Sequence, residues 1–167
     1  MIALTGTPGK SSGYIVAPGS YHDYRLHVEW RWVAKEITAS TNGGILLNIT
    51  PGPLQQDLWP VSFQVQTKNS RAGDIIAMST AAAKEAPAGQ TASRKKEASE
   101  KLPGEWNAAD IVVRDNSITC SINGVPQNAV TGCIPASGRI GFQLEGYAYE
   151  LRNIHVEELP PETAPAR

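Results

Sequence analysis

The residues of this chain best suited to chemistry lie on the polar sides of extended segments. YRLHVEWRW, residues 24–32, alternates without a break. A two-residue period puts Leu26, Val28, Trp30 and Trp32 on one side and Arg25, His27, Glu29 and Arg31 on the other. Glu29 is a candidate acid or base, Arg31 a positive partner for a developing oxyanion, and His27 a group that titrates near neutrality. VSFQVQTK divides the same way, with Val61, Phe63 and Val65 opposing Ser62, Gln64 and Gln66. GRIGFQLEG sets Ile140, Phe142 and Leu144 against Gly141, Gln143 and Glu145. GILLNIT sets Ile45, Leu47 and Ile49 against Gly44, Leu46 and Asn48. A glutamine amide both donates and accepts, which matches a sugar hydroxyl. If these strands neighbour one another in one sheet, their polar faces merge into a carbohydrate groove. Trp59 or Trp106 at its rim would stack on a pyranose ring. The competing explanation is a set of cross-strand polar pairs that only stabilise the sheet, such as Glu29 with a neighbouring Arg.

The elements that must position these side chains read as strands. The chain has 167 residues, the size of one domain with a substantial core. Its 15 Gly and 12 Pro punctuate short β-rich runs. Strands are expected near 13–17, 24–33, 44–50, 61–68, 73–78, 108–115, 117–123, 126–130, 138–146 and 147–157. Turn signals at Asp115-Asn116 and Asn123-Gly124 predict a meander. Many short strands and little helix predict an all-β fold, a two-sheet antiparallel jelly-roll sandwich. Residues 79–103 break the pattern and read as a solvated insertion or long loop, with room for a turn or two of helix around 93–101. A single domain over 1–159 is expected, followed by a Pro-rich tail at 160–167.

Composition excludes several classes. Fifteen Lys and Arg against sixteen Asp and Glu leave a formal charge of −1, without the basic excess that nucleic acid or an anionic membrane demands. No apolar run approaches the roughly 18 residues of a membrane span. The opening MIALTGTPGKSSGY lacks the basic start and apolar centre of a signal peptide. A hairpin at Asn123-Gly124 puts Cys120 opposite a residue near 127 rather than Cys133, so two free thiols are expected. No CxxC or Cys/His cluster marks a metal or other cofactor. Trp30 and Trp32 are in phase with Leu26 and Val28 and belong to the core. His22 reads as a surface turn residue and His155 as a residue on a wet strand face. Nothing in the composition specifies an oligomeric state.

The ordered set GYIVAPGSYHDYRLHVEWRW, NGGILLNI, WPVSFQVQ, AGDI, GEWN, ITCSINGVPQNAVTGC and GRIGFQLEGYAYELRNIHVEEL resembles the 3-keto-disaccharide hydrolase family. The resemblance runs from about residue 13 to 159 and leaves 79–103 unmatched. It implies a concanavalin A-like lectin/glucanase jelly roll, a periplasmic or secreted setting, and action on glycosides already oxidised to a ketone at C3. Family members usually carry an export signal and an opening strand ahead of the part that matches Met1-Ile2-Ala3, so the front of the family domain is expected to be missing here. Asn42-Gly43-Gly44 stands at the family's turn and Glu29-Trp30-Arg31 at its Glu-x-Arg. Gln143, Glu145 and Gly146 stand at its Gln-x-Glu-Gly, and Arg152-Asn153-Ile154 at its Arg-Asn-Ile. The chain departs at Gln64, where the family commonly has Glu.

The implied chemistry is elimination followed by hydration. A C3 ketone acidifies the C2 proton, and loss of that proton expels the C1 substituent. Glu29 and Glu145 are the candidate base and acid, and Arg31 the partner of the enolate oxygen. His27, Asn42, Trp59, Gln64, Gln66 and Gln143 are the candidate substrate-binding residues. A non-catalytic, lectin-like carbohydrate-binding module is the alternative, and the amide at Gln64 favours it. The Glu-x-Asp-x-x-Glu spacing of family 16 glucanases does not occur.

Overall fold

Alternating burial builds the sandwich strand by strand. In a computed structural model, residues 1–7, 10, 12–33 and 37–160 are described. They form twelve strands and no helix. In chain order these are β1 (Ile2–Leu4), β2 (Ser12–Tyr21), β3 (Tyr24–Trp32), β4 (Gly43–Gln55), β5 (Trp59–Gln66) and β6 (Ile75–Met78). Then come β7 (Thr91–Ala92), β8 (Asn107–Arg114), β9 (Ser117–Ile122), β10 (Val125–Val130), β11 (Gly138–Glu145) and β12 (Tyr149–Glu158). The first sheet has the order β1-β12-β3-β8-β9-β10 and the second β2-β11-β4-β5-β6-β7, with antiparallel pairing throughout. Tyr24, Leu26, Val28 and Trp30 of the first sheet join Ile45, Leu47, Phe63 and Val65 of the second in one core. This is the jelly-roll sandwich that alternation predicts, with side chains of both inner faces filling a layer about 10 Å thick. The two short strands β1 and β7 have too few residues to show a period. Of the tail at 160–167, residues 161–167 lie outside the described residues.

Turn chemistry sets the meander β8-β9-β10. Asp115, Asn116, Asn123 and Gly124 all have positive φ, as the primed turns of tight hairpins require. Cys120 pairs in register with Asn128, because a bulge between Pro126 and Asn128 adds one residue to the expected alignment. Cys120 and Cys133 are free and buried. Burial pushes the Cys120 thiol up to about 12 and the Cys133 thiol up to about 11.

Two expectations need correction. The first concerns Asn48. A register shift between Leu47 and Thr50 interrupts β4, and Asn48 has a φ of 54°. Its side chain accepts a hydrogen bond from the Tyr24 hydroxyl at 3.2 Å and donates to Pro135 O at 3.1 Å. It therefore links the two sheets instead of sharing a wet face with Gly44. The second concerns residues 79–103. They contain no helix and are not a solvated loop throughout, since Ala81, Ala83, Ala86 and Ala92 belong to the core. The segment adds β7 to the edge of the second sheet and then crosses to the first. Asn128 donates to Ala92 O at 2.7 Å, Lys95 N to Gln127 O at 2.7 Å, Ser99 to Ile122 O at 2.9 Å, and Asn123 to Ser99 O at 2.7 Å. Small alanines allow this close approach, and the segment closes one side of the sandwich over β10.

Candidate functional site

The outer face of the second sheet carries the amide cluster. β4 lies between β11 and β5, so Gln143 and Gln64 stand on strands that do not touch directly. Gly44 pairs in register with Gln143 on one side and Gln66 on the other. With no side chain on Gly44, the flanking amides meet above it. A Cβ built there would lie 2.5 Å from Gln64 Nε2 and 2.6 Å from Gln64 Cγ. Gln64 Nε2 donates to Gln66 Oε1 at 2.7 Å and to Gln143 Oε1 at 2.8 Å. Gln143 Nε2 donates to Glu145 Oε1 at 2.9 Å, and Asn42 Nδ2 donates to Glu145 Oε2. The result is a directional chain of amides that ends on one carboxylate.

These groups line a pocket of about 160 Å³ with Gln55, Trp59 and Met78. Glu145 is the sole ionisable side chain among its lining residues. Trp59 is a wall rather than an exposed platform: it is buried, and its ring packs on Tyr14 with centroids 6.4 Å apart. Gln64 Oε1 and Gln66 Nε2 have no hydrogen-bond partner among the described residues. Asn42, Trp59, Gln64, Gln66, Gln143 and Glu145 thus line one pocket.

Sequence reasoning missed Tyr14, Gln55, Gln56 and Met78. Tyr14 pairs in register with Gln143 and so falls on its face, but β2 shows no clean alternation. Gln55 follows the shifts in β4, while Gln56 and Asp57 have positive φ, so no period reaches them. Gln55 is nonetheless fixed, because its Oε1 accepts the Ser79 N–H at 2.7 Å.

His27, Glu29 and Arg31 do not join this pocket, which corrects the expectation of one shared groove. β3 belongs to the first sheet, and its polar face lies on the opposite outer surface of the sandwich. There Glu29 accepts from Arg152 Nε at 2.7 Å and from Asn153 Nδ2 at 2.6 Å. A register shift between Arg152 and His155 lets consecutive residues of β12 reach the same carboxylate. Hydrogen bonds from Asn153 and Arg152 hold the Glu29 carboxyl below its usual range. Arg31 Nε donates to Glu150 at 2.6 Å, and His27 Nδ1 lies 2.7 Å from Asp110 Oδ1. The guanidinium groups of Arg31 and Arg152 sit 4.7 and 4.0 Å from the Trp106 ring centroid. Trp106 is therefore on this surface too, packed under cations. These are cross-strand pairs of the stabilising kind. Period 2 reveals which residues of a strand share a face, but not which sheet the strand joins.

The two six-stranded sheets define an antiparallel jelly roll of the lectin and glycosyl hydrolase type. Within that class, residues 1–157 match the 3-keto-alpha-glucoside-1,2-lyase-like domain, and the chain belongs to this family. A protein from Parabacteroides distasonis, provisionally named as a glycosyl hydrolase, superposes with a TM-score of 0.66 at 16% identity, covering 95% of this chain and 80% of its own. A carbohydrate-binding module from Bacillus subtilis superposes at 0.64 with 8% identity, covering 93% and 84%. A galectin from Caenorhabditis elegans gives 0.54 at 13% identity, covering 93% and 96%. At these identities the likeness is one of fold. None of the curated proteins compared matches the chain.

Proposed function

We propose that the outer face of the second sheet binds a 3-keto-glycoside and that Glu145 is the base that removes its C2 proton, in the periplasmic or secreted setting that the family resemblance implies. The observation that carries this reading is the solitary carboxylate at the end of the amide chain. Hydrolysis by the usual double-carboxylate route needs a second acid within roughly 5–10 Å across the scissile bond. Elimination needs one base. The C2–H electrons form an enolate with the C3 oxygen, to which an amide such as Gln66 Nε2 donates. The enolate then collapses: the ketone re-forms, a C1–C2 double bond appears, and the C1–O bond breaks. The proton held by Glu145 goes to the departing oxygen. Water later adds its oxygen to C1 and its proton to C2.

A second reading has its own support. Gln64 is an amide where the family resemblance implies Glu, and both oxygens of Glu145 already accept amide hydrogens. A binding module without turnover would look the same in these respects. Incubation with an aryl 3-keto-glucoside beside its unoxidised parent separates the two. Aryl release from the keto sugar alone, lost by about 100-fold or more in Glu145→Gln, supports the enzyme. Binding without release supports the module, and release that survives Glu145→Gln removes the assigned base.

A further inference from the structure

We infer that the ligand carries an anionic substituent, seated beside the pocket of Glu145 by Lys68 and Arg71; this rests on the carbohydrate reading above. Gln66 and Ile76 line the Glu145 pocket on one side and a second pocket of about 240 Å³ on the other. The two are therefore adjoining compartments of one groove. The second is lined by Lys68, Arg71, Asp74, Thr91 and Ser93 as well. Its charge balance favours an anion. Asp74 is buried and committed: Oδ1 accepts the Arg94 N–H at 2.8 Å, and Oδ2 lies 3.7 Å from Arg71 Nη1. Lys68 has no side-chain partner among the described residues, and the Arg71 side chain is 60% exposed. Asp74 thus offsets Arg71 and leaves Lys68 as a cation without a counterion, a net positive charge in this compartment.

The loop that presents them is braced. Arg71 N donates to Lys68 O at 2.8 Å, Asn69 N to Thr41 O at 3.1 Å, and Ala72 N to Glu100 Oε1 at 2.9 Å. Gly73, with a φ of 95°, turns the chain back so that its N–H reaches Gln66 O at 3.0 Å. The backbone that carries both cations is thus fixed next to Gln66, within reach of a ligand that would accept charge-assisted hydrogen bonds. Polarity along the groove also sets direction. The carboxylate of Glu145 repels an anion from its own compartment, so the neutral keto sugar occupies that end and the acidic group the Lys68 end. A hexuronic acid carboxylate and a sugar sulfate share this chemistry.

Titration calorimetry with three matched oligosaccharides tests the inference: one neutral, one ending in a hexuronic acid, and one sulfated. Wild type is expected to prefer an acidic ligand over the neutral one by about tenfold, with a smaller ratio in 0.5 M salt. The arm that binds tighter identifies carboxylate or sulfate. Lys68→Ala with Arg71→Ala is expected to collapse the ratio toward one, and Lys68→Glu to lower it further, with unchanged thermal unfolding showing that each variant is folded. Equal or tighter binding of the neutral ligand by wild type overturns the inference, as does a ratio that survives the double substitution. Failure of all three sugars to bind is a different result, and it overturns the carbohydrate reading itself.

Discussion

Gln64 Nε2 donates to Gln143 Oε1 at 2.8 Å across an intervening strand, and the residue beneath the crossing is Gly44. Neighbouring strands are about 4.8 Å apart, so two side chains from β5 and β11 span roughly twice that distance. They meet only if β4 offers no side chain in between. The polar face is therefore defined by a missing atom as much as by the amides.

Gly44→Ala tests that relationship without changing the polar inventory. The new methyl would overlap Gln64 Cγ and Nε2, and Gln64 would have to leave Gln143. Expected is a loss of about 1–3 kcal/mol in stability from overpacking and broken hydrogen bonds. Ligand affinity should fall with it. Denaturant unfolding and sugar titration check both; unchanged values would show that the amide bridge is dispensable.

Gln64→Glu puts a carboxyl where the family resemblance implies one and removes a donor. The Gln64 amide donates to two oxygens at once, which an ionised carboxylate cannot do. Burial at 2% exposure and the facing amide oxygens favour the protonated acid, so its pKa should rise above the usual carboxylate range. The sign follows: stability is retained below the unfolded value near 4.3 and is lost as pH rises through the raised folded value. Unfolding midpoints of wild type and variant, compared from pH 4 to 8, should diverge as pH increases. Parallel curves would refute the buried donor role.

Most of the fold was legible because the long strands alternate. Tyr24–Trp32 shows buried side chains at every second position, and both hairpin turns carry residues that accept positive φ. What the sequence did not disclose is sheet membership. Glu29 and Glu145 lie on faces with the same alternation, yet their strands belong to different sheets. Such membership is decided by long-range pairing, which leaves no local period. The buried alanines of residues 79–103 were unreadable for a related reason. Small residues look neutral in sequence, and only long-range pairing, of Ala82 with Ile134 and of Lys84 N–H with Thr131 O, seats this stretch against the core.

Glu29 should govern part of the acid limb of stability. Its carboxyl is held below the ordinary range by hydrogen bonds from Asn153 and Arg152. A depressed folded pKa contributes stability that is present above the unfolded value near 4.3 and is lost as pH falls through the folded value. Glu29→Gln is expected to cost on the order of 1 kcal/mol at pH 7. That difference should shrink as pH falls through the lowered folded value and Glu29 takes up its proton. Turnover of a keto-glycoside should be altered little, since Glu29 lies on the outer face of the first sheet and the amide pocket on that of the second. A variant that folds normally but loses turnover would bring this surface back into the chemistry.

The two thiols should be inert in the native protein. Cys120 donates weakly to Gly73 O at 3.5 Å, and burial raises its pKa to about 12; Cys133 is raised to about 11 by the same cause. The thiolate is the reactive form, so neither should label at pH 8 until the chain unfolds, when both should react. A raised folded value also means that the thiols favour the native state below the unfolded pKa near 8.5 and cease to do so as pH climbs through 11 and 12. Stability should consequently decline on the alkaline side, and Cys120→Ala should flatten that decline while opening a small cavity. Rapid labelling of one thiol at pH 8 in the folded state would show that the side of the sandwich beneath residues 79–103 opens readily.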